Sequence, residues 1–208
     1  TQTARMQYQE WQAPADFWTE EGTRIAQPVI GYHTAGRMNA RGDNVVWVAH
    51  ALTANSDVAD WWPQMVGPGR LLDTERYFVV SANVLGSCYG TTGPASVSAE
   101  TGRRYYGDFP FVTIRDMVRL HQHLRRYLGI AGLKMLIGGS IGGYQALEWA
   151  IMEPELTERL VLLATSAQSS PWTVAFNESQ RMALQADASF GERRPEAGRA
   201  GLRAARSI

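Results

Sequence analysis

The sequence predicts an α/β fold with a mostly parallel sheet, on two observations. Short apolar runs rich in β-branched residues, typical of strands buried on both faces, occur at residues 45–50, 77–82, 134–138 and 160–165. Helix-like stretches lie between these runs, and buried strands that alternate with helices are typical of parallel sheets. A chain of 208 residues is long enough to bury the core that such a sheet needs.

The other elements follow in chain order. Residues 24–34 read as an extended strand, which we place at a sheet edge because Pro28 cannot donate a ladder hydrogen bond. Residues 39–44 have the composition of a turn. Thr113 can cap a helix that runs to about residue 128 and stops at Gly129. A further helix is predicted over residues 144–153, ended by Pro154.

The pattern changes after Thr165. Residues 171–186 look helical, and a polar, Arg-rich stretch follows at 191–206 with no strand between them. This break in the alternation predicts the beginning of a helical cap, so we divide the chain into core residues 1–170 and cap residues 171–208. The alternative is that the chain from Gly191 onward is only a frayed tail.

Composition argues against several classes of partner. Twenty basic residues balance twenty acidic ones, so no nucleic-acid or anionic-membrane partner is expected. Cys88 is the single cysteine, which excludes an intramolecular disulfide and fits a reducing cytoplasm. The four histidines and one cysteine have no metal-ligand spacing, so no metal is expected. Because the chain begins at Thr1, trimming or truncation at that end is expected.

The most informative motif is Gly-Gly-Ser-Ile-Gly at residues 138–142. It fits G-x-S-x-G between a predicted strand and a predicted helix, which is the context of the nucleophile elbow in an α/β-hydrolase fold. Ser140 is therefore the predicted acyl-accepting nucleophile, and the backbone N–H of Ile141 a predicted oxyanion donor. The alternative interpretation is a Gly-rich turn without catalytic function.

The loop that follows residues 45–49 is the predicted source of the second oxyanion donor, and we assign that N–H to Leu52. His50 has an alternative reading as a general base, although it precedes the nucleophile and the fold's order places the base after it. His33, His121 and His123 are interpreted as surface or packing residues.

Two further stretches are candidates for the walls of a pocket. The loop at residues 85–94 is rich in Gly and Thr, and we interpret it as a pocket wall in preference to reading Cys88 as a nucleophile. Trp61 and Trp62 fit a cavity wall and a core position equally well.

Four stretches resemble one enzyme family: HALTANSDVADWW at 50–62, GPGRLLDTERYFVVSANVLGSCYGTTGPAS at 67–96, DFPFVTIRDMV at 108–118 and GGSIGGYQALEWAI at 138–151. Together with AFNESQRMAL at 175–184, they are similar to homoserine O-acetyltransferases, the α/β-hydrolase-fold acyltransferases of methionine biosynthesis. The resemblance extends from about residue 32 to the end of the chain.

The resemblance implies acetyl transfer from acetyl-CoA, a co-substrate, to L-homoserine through an acyl-Ser140 intermediate. It matches Leu52 and Ile141 to the oxyanion hole, and Arg206 to an arginine that binds the amino-acid substrate, although Ser207 stands where the family usually has Met. It further implies a homodimer as the full-length protein, and we expect a cytoplasmic enzyme with no permanently bound cofactor.

The chain departs from this family at its end. The family continues to a catalytic Asp and a catalytic His, but no histidine follows Ser140 here, and Asp187 falls where the family has cap helix. We therefore expect a truncated form that is inactive alone, since losing a triad partner costs about 10⁴-fold in rate. The alternatives are a relative that uses succinyl-CoA or serine, and a non-catalytic binding module.

Overall fold

The computed structural model describes residues 5–208. The strands are β1 (Gln7–Gln12), β2 (Phe17–Trp18), β3 (Arg24–Ile25), β4 (Val29–Ala35), β5 (Val45–Ala49), β6 (Phe78–Ala82), β7 (Leu133–Gly139) and β8 (Leu160–Leu163). The helices are α1 (Val58–Trp61), α2 (Ile114–Tyr127), α3 (Ile141–Met152), α4 (Pro171–Gln185) and α5 (Arg199–Ala205). All four predicted apolar runs form strands, but β8 lies at an edge of the sheet and is mostly exposed, so the prediction that it is buried on both faces is wrong.

Six of the strands form one sheet in the order β1-β4-β6-β5-β7-β8, and β2 pairs with β3. From β6 through β5 and β7 to β8 the neighbours are parallel, whereas β1 and β4 run antiparallel to their neighbours. The predicted α/β architecture with a mostly parallel sheet is therefore confirmed. The carboxyl ends of β5, β6 and β7 lie at one edge of the sheet, where ligands bind in open α/β folds.

The central strand β5 explains the two layers of the core. All five of its residues are buried. Because alternate side chains point to opposite faces of a strand, Val45 and Trp47 pack in the cluster formed with α2 and α3. Val46 and Val48 pack in the cluster that includes residues of α1 on the other face. The apolar run therefore covers both faces, as expected of a strand buried between helices.

The edge position predicted for residues 24–34 is wrong. The stretch forms two strands, β3 and β4, separated where Gln27 adopts a positive φ of 39°. Pro28 precedes β4, so it removes no hydrogen bond from the ladder, and β4 lies inside the sheet between β1 and β6. The edge is occupied by β1, whose polar sequence gave no strand signal.

Two helices begin as their sequences predict. Thr113 caps α2 in a capping box with Asp116: its side chain accepts the N–H of Asp116, whose carboxylate accepts the N–H of Thr113. Ser170 caps α4, with Pro171 in the first turn.

No helix within residues 5–208 has the length and apolar character needed to cross a membrane.

The Arg-rich stretch after Gly191 is not frayed throughout. It contains α5, which packs on α4 so closely that a Cβ at Gly201 would lie 2.8 Å from the carbonyl oxygens of Ala183 and Leu184. Asp187 ties the two helices together, since its carboxylate accepts the N–H of Gly201 at 2.9 Å. The division into a core and a cap stays a prediction.

Candidate active site

Ser140 occupies the sharp turn between β7 and α3. Its backbone has φ 54° and ψ −124°, a region that costs a non-glycine residue about 1–3 kcal/mol. The surrounding hydrogen bonds hold it there: its N–H donates to Leu163 at 3.1 Å, and its carbonyl accepts from the Thr165 hydroxyl at 2.8 Å and the Gly143 N–H at 2.9 Å. Strain retained at a serine in a strand-turn-helix unit is the geometry of a nucleophile elbow.

Two positions of the motif require glycine, because the backbone of a neighbouring segment fills the space that a Cβ would need. A Cβ at Gly138 would overlap the carbonyl of Gly142, and a Cβ at Gly142 would overlap the carbonyl of Ala49 at the end of β5. The glycines therefore allow α3 to start directly against the ends of β5 and β7. This explains why α3 begins at Ile141, three residues earlier than predicted.

Leu52 and Ile141 line the same cavity, which has a volume of about 380 Å³. Ile141 is the first residue of α3, so its N–H has no partner within the helix. Leu52 lies in the turn closed by the hydrogen bond from the Ala54 N–H to the Ala51 carbonyl, at 3.1 Å. Within the described chain, neither N–H has a hydrogen-bond acceptor, as required of donors kept for a ligand.

His50 lines this cavity but is not free to act as a base. One ring nitrogen, Nδ1, donates to the Ala51 carbonyl at 2.8 Å, and the other, Nε2, accepts the Val84 N–H at 3.3 Å. The side chain is 2% exposed, and burial lowers its pKa, so it is neutral at pH 7. Because both ring nitrogens are already occupied by backbone groups, the structure does not support the alternative reading of His50 as a general base.

The Gly- and Thr-rich loop forms one wall of the same cavity, through Leu85, Gly86, Ser87, Cys88 and Tyr89. The interpretation of this loop as a pocket wall is confirmed. Trp61 and Trp62 stack on each other and line a smaller neighbouring cavity of about 160 Å³. Both residues also pack against the core cluster that contains Val46 and Val48, so the cavity-wall reading and the core reading both hold.

Arg206 does not join this group. It lies at the carboxyl end of α5, is exposed, and does not line the cavity that Leu52 and Ile141 share.

Asp187 is engaged elsewhere: hydrogen bonds from the N–H of Gly201 and from the N–H and hydroxyl of Ser189 lower its pKa to about 2. Within residues 5–208, no group of three His, Cys, Asp or Glu side chains is placed to hold a metal ion.

A buried polar cluster centred on Asn83 carries no motif and was not predicted from the sequence. Asn83 lies directly after β6 and is 1% exposed. It contacts Ser56, Thr91 and His121, all of which are buried. A polar residue directly after a buried parallel strand is the signal that could have identified it, because such positions lie at the ligand-binding edge of the sheet.

Comparison with known proteins gives consistent matches. Residues 44–203 match the family model described as alpha/beta hydrolase fold. A homoserine O-acetyltransferase of Carboxydothermus hydrogenoformans is 49% identical over 178 residues, covering 81% of this chain and 47% of that protein. One from Cyclobacterium marinum is 43% identical over 189 residues, covering 91% of this chain and 54% of that protein. The chain thus spans about half the length of the curated relatives it matches.

Solved structures agree with this fold. The crystal structure of homoserine O-acetyltransferase from Bacillus anthracis has a TM-score of 0.87 and 30% identity, covering 96% of this chain and 58% of that one. The structure of esterase E22 has the same TM-score at 32% identity, covering 96% and 59%. The resemblance stated from sequence motifs is confirmed, and it concerns the amino-terminal part of these proteins.

Proposed function

The chain belongs to the alpha/beta hydrolase fold family, and on that premise we propose that it is the nucleophile-bearing part of a homoserine O-acetyltransferase. The observation that carries the proposal is the strained backbone of Ser140, at the start of a helix whose first N–H faces no acceptor in the described chain. The similarity to relatives named homoserine O-acetyltransferase selects acyl transfer among the reactions of this fold.

The proposed reaction has two steps. The Ser140 hydroxyl attacks the thioester carbonyl of acetyl-CoA, a base takes its proton, and CoA leaves as the thiol with that proton. The side-chain hydroxyl of L-homoserine then attacks the acetyl-serine ester, which gives O-acetylhomoserine and restores Ser140. The N–H groups of Leu52 and Ile141 would stabilise the oxyanion in both steps, where one such donor is worth about 10²–10³ in rate.

Two parts of the proposed machinery, the base with its acidic partner and the group that binds the amino acid, do not line the cavity. No histidine follows Ser140 within the 208 residues, so we propose that the base and its acidic partner belong to residues beyond this sequence and that the chain alone is inactive. Arg206 would hold the α-carboxylate of homoserine, for which a planar guanidinium is well suited. A cytoplasmic homodimer is the form that we propose for the full protein.

A second candidate is ester hydrolysis, which the similarity to esterase E22 favours. The two functions share acylation of Ser140 and differ only in whether water or an amino-acid hydroxyl attacks the ester. Exclusion of water from the acyl-enzyme would therefore decide between them. The relatives that use succinyl-CoA or serine would differ in the donor or the acceptor alone.

The test uses the product of the complete reading frame that encodes this chain. It is supplied with acetyl-CoA or succinyl-CoA, and with L-homoserine, L-serine or no acceptor, and the products are identified by mass spectrometry. We expect O-acetylhomoserine as the main product, and a loss of about 10⁴-fold or more in Ser140→Ala. Release of acetate at the same rate with and without homoserine would contradict acyl transfer and support hydrolysis.

A further inference from the structure

We infer that Asn83 is a positioning residue for the oxyanion hole, and that its side-chain amide fixes the loop bearing Leu52 against the loop bearing Cys88. This inference rests on the proposed function, since it assigns Leu52 the role of an oxyanion donor. Asn83 touches no substrate in this account and acts through the backbone that it holds.

The contacts of Asn83 extend to three separate segments. Its side-chain Oδ1 accepts the N–H of Ser56 at 2.9 Å, and its Nδ2 lies 2.7 Å from the Ser56 hydroxyl. The same Nδ2 lies 3.0 Å from the Gly31 carbonyl in β4 and 2.7 Å from the Tyr89 carbonyl. One amide thus joins the loop after β5, the loop after β6 and a neighbouring strand.

The backbone of Asn83 is held as well. Its N–H donates to the Gly31 carbonyl at 2.9 Å, and its carbonyl accepts from the Thr91 hydroxyl at 2.8 Å and from His121 Nε2 at 3.1 Å. Because the residue is 1% exposed, removing one of these bonds leaves a buried polar group without its partner, which is costly.

Asparagine suits this position for a chemical reason. The neighbouring groups are one N–H donor, two carbonyl acceptors and a hydroxyl, so the side chain must accept and donate at once. An aspartate has the same shape but cannot donate, and its charge would be buried against carbonyl oxygens. An alanine would leave the Ser56 N–H and the Tyr89 carbonyl without their partner, whereas the Gly31 carbonyl would keep the backbone N–H of residue 83.

Asn83 affects the position of the Leu52 N–H through the short segment of chain between Ser56 and Leu52. Only three residues separate them, and the turn that contains Leu52 is closed by the Ala54 to Ala51 hydrogen bond. Tyr89, on the other side, is next to Cys88 in the cavity wall. Oxyanion donors act only within about 0.5 Å of the productive position, so loosening this anchor would misplace the Leu52 N–H.

The test compares Asn83→Ala and Ser56→Ala with a matched control, Ser81→Ala, in the product of the complete reading frame. Ser81 is equally buried, and its hydroxyl donates to the Val48 carbonyl at 2.7 Å, away from both loops. The probe is p-nitrophenyl acetate: acylation of Ser140 releases p-nitrophenolate in a burst whose size counts the active sites. The acylation rate constant and KM are measured per titrated site, so unfolded molecules do not contribute.

We expect the acylation rate constant per site to fall about 10- to 100-fold in Asn83→Ala, as for a catalytic group misplaced by about 1 Å. A smaller fall, about fivefold, is expected in Ser56→Ala, with KM within about twofold of wild type and Ser81→Ala unchanged. If Asn83→Ala gives no folded protein, Ser56→Ala decides the question by the same criterion.

The outcomes separate this inference from the proposed function. Normal rate constants per site in both variants, with a normal burst in the wild type, would overturn the positioning role alone. Equal losses in Ser56→Ala and Ser81→Ala would also overturn it, because burial would then explain the effect. A wild-type protein that releases no more p-nitrophenolate than Ser140→Ala would contradict acylation of Ser140, and the inference would fail with it.

Discussion

Lowering the pH below neutrality is expected to destabilise this chain through His121. The side chain is fully buried on α2, where its Nε2 donates to the Asn83 carbonyl at 3.1 Å and its ring packs against Trp47. Burial disfavours the charged imidazolium and lowers the pKa of His121 to about 4. Protonation would therefore place a charge inside the polar cluster that holds the loop of the candidate oxyanion hole.

The magnitude follows from the difference between the folded and the ordinary pKa. The ordinary value is 6.5 and the folded value about 4, and each pKa unit corresponds to about 1.4 kcal/mol. Multiplying the difference in pKa by this energy gives a contribution to the free energy of unfolding of about 3 kcal/mol. Because the folded pKa is the lower one, this contribution is fully present above pH 6.5, declines as the pH falls, and is lost below about pH 4.

Urea unfolding of the 208-residue chain, followed by tryptophan fluorescence between pH 7 and pH 4, measures this contribution. His121→Gln cannot titrate at this position, so the difference in unfolding free energy between wild type and variant should shrink by about 3 kcal/mol over this range. His123→Gln is the control, because His123 is exposed on the surface of α2, where its ring lies against Phe17. A wild-type to His121→Gln difference that stays constant with pH would refute the reasoning.

Three further predictions concern packing and local order. Gly142→Ala should lower the stability by about 1–3 kcal/mol and slow acylation at least about tenfold, because the new Cβ would overlap the end of β5. Thermal unfolding measures the first effect and burst kinetics the second. Gly107→Ala is the control, because a Cβ at Gly107 would face open space. Glu153→Gln should lower the free energy of unfolding in urea by about 1–3 kcal/mol, since Glu153 accepts the Trp149 indole N–H at 2.7 Å and pairs with an arginine at 3.0 Å; an unchanged value would contradict its role. Asp187→Asn should speed hydrogen exchange in α5 but not in the sheet, because the charged carboxylate accepts three hydrogen bonds between the helices; equal exchange in both proteins would refute this.

The parts of the fold that the sequence predicts are those encoded locally. The strands β5, β6, β7 and β8 are short apolar runs, and the capping box of α2 lies within four consecutive residues. The turn around Ser140 is equally local in sequence, because its serine and its glycines lie within residues 138–142, although Gly142 also packs against Ala49 of β5.

The features that sequence reasoning missed depend on contacts between distant segments. β1 is polar and forms a strand because it pairs with β4, so its own residues carry little signal. Pro28 misled the placement of β4 because its effect depends on whether it lies inside or just before the strand. Asn83 gains its role from residues 31, 56 and 89, which only the folded sheet edge brings together.

The central claim is that Ser140 carries the acyl group, and peptide mass spectrometry of the acylated protein tests it most directly. The product of the complete reading frame is incubated with acetyl-CoA alone, quenched in acid and digested. We predict one acetyl group on the peptide that contains Ser140, absent in Ser140→Ala and removed when L-homoserine is added before the quench. An acetyl group on Cys88 instead, or an unmodified Ser140 peptide while product still forms, would contradict the account.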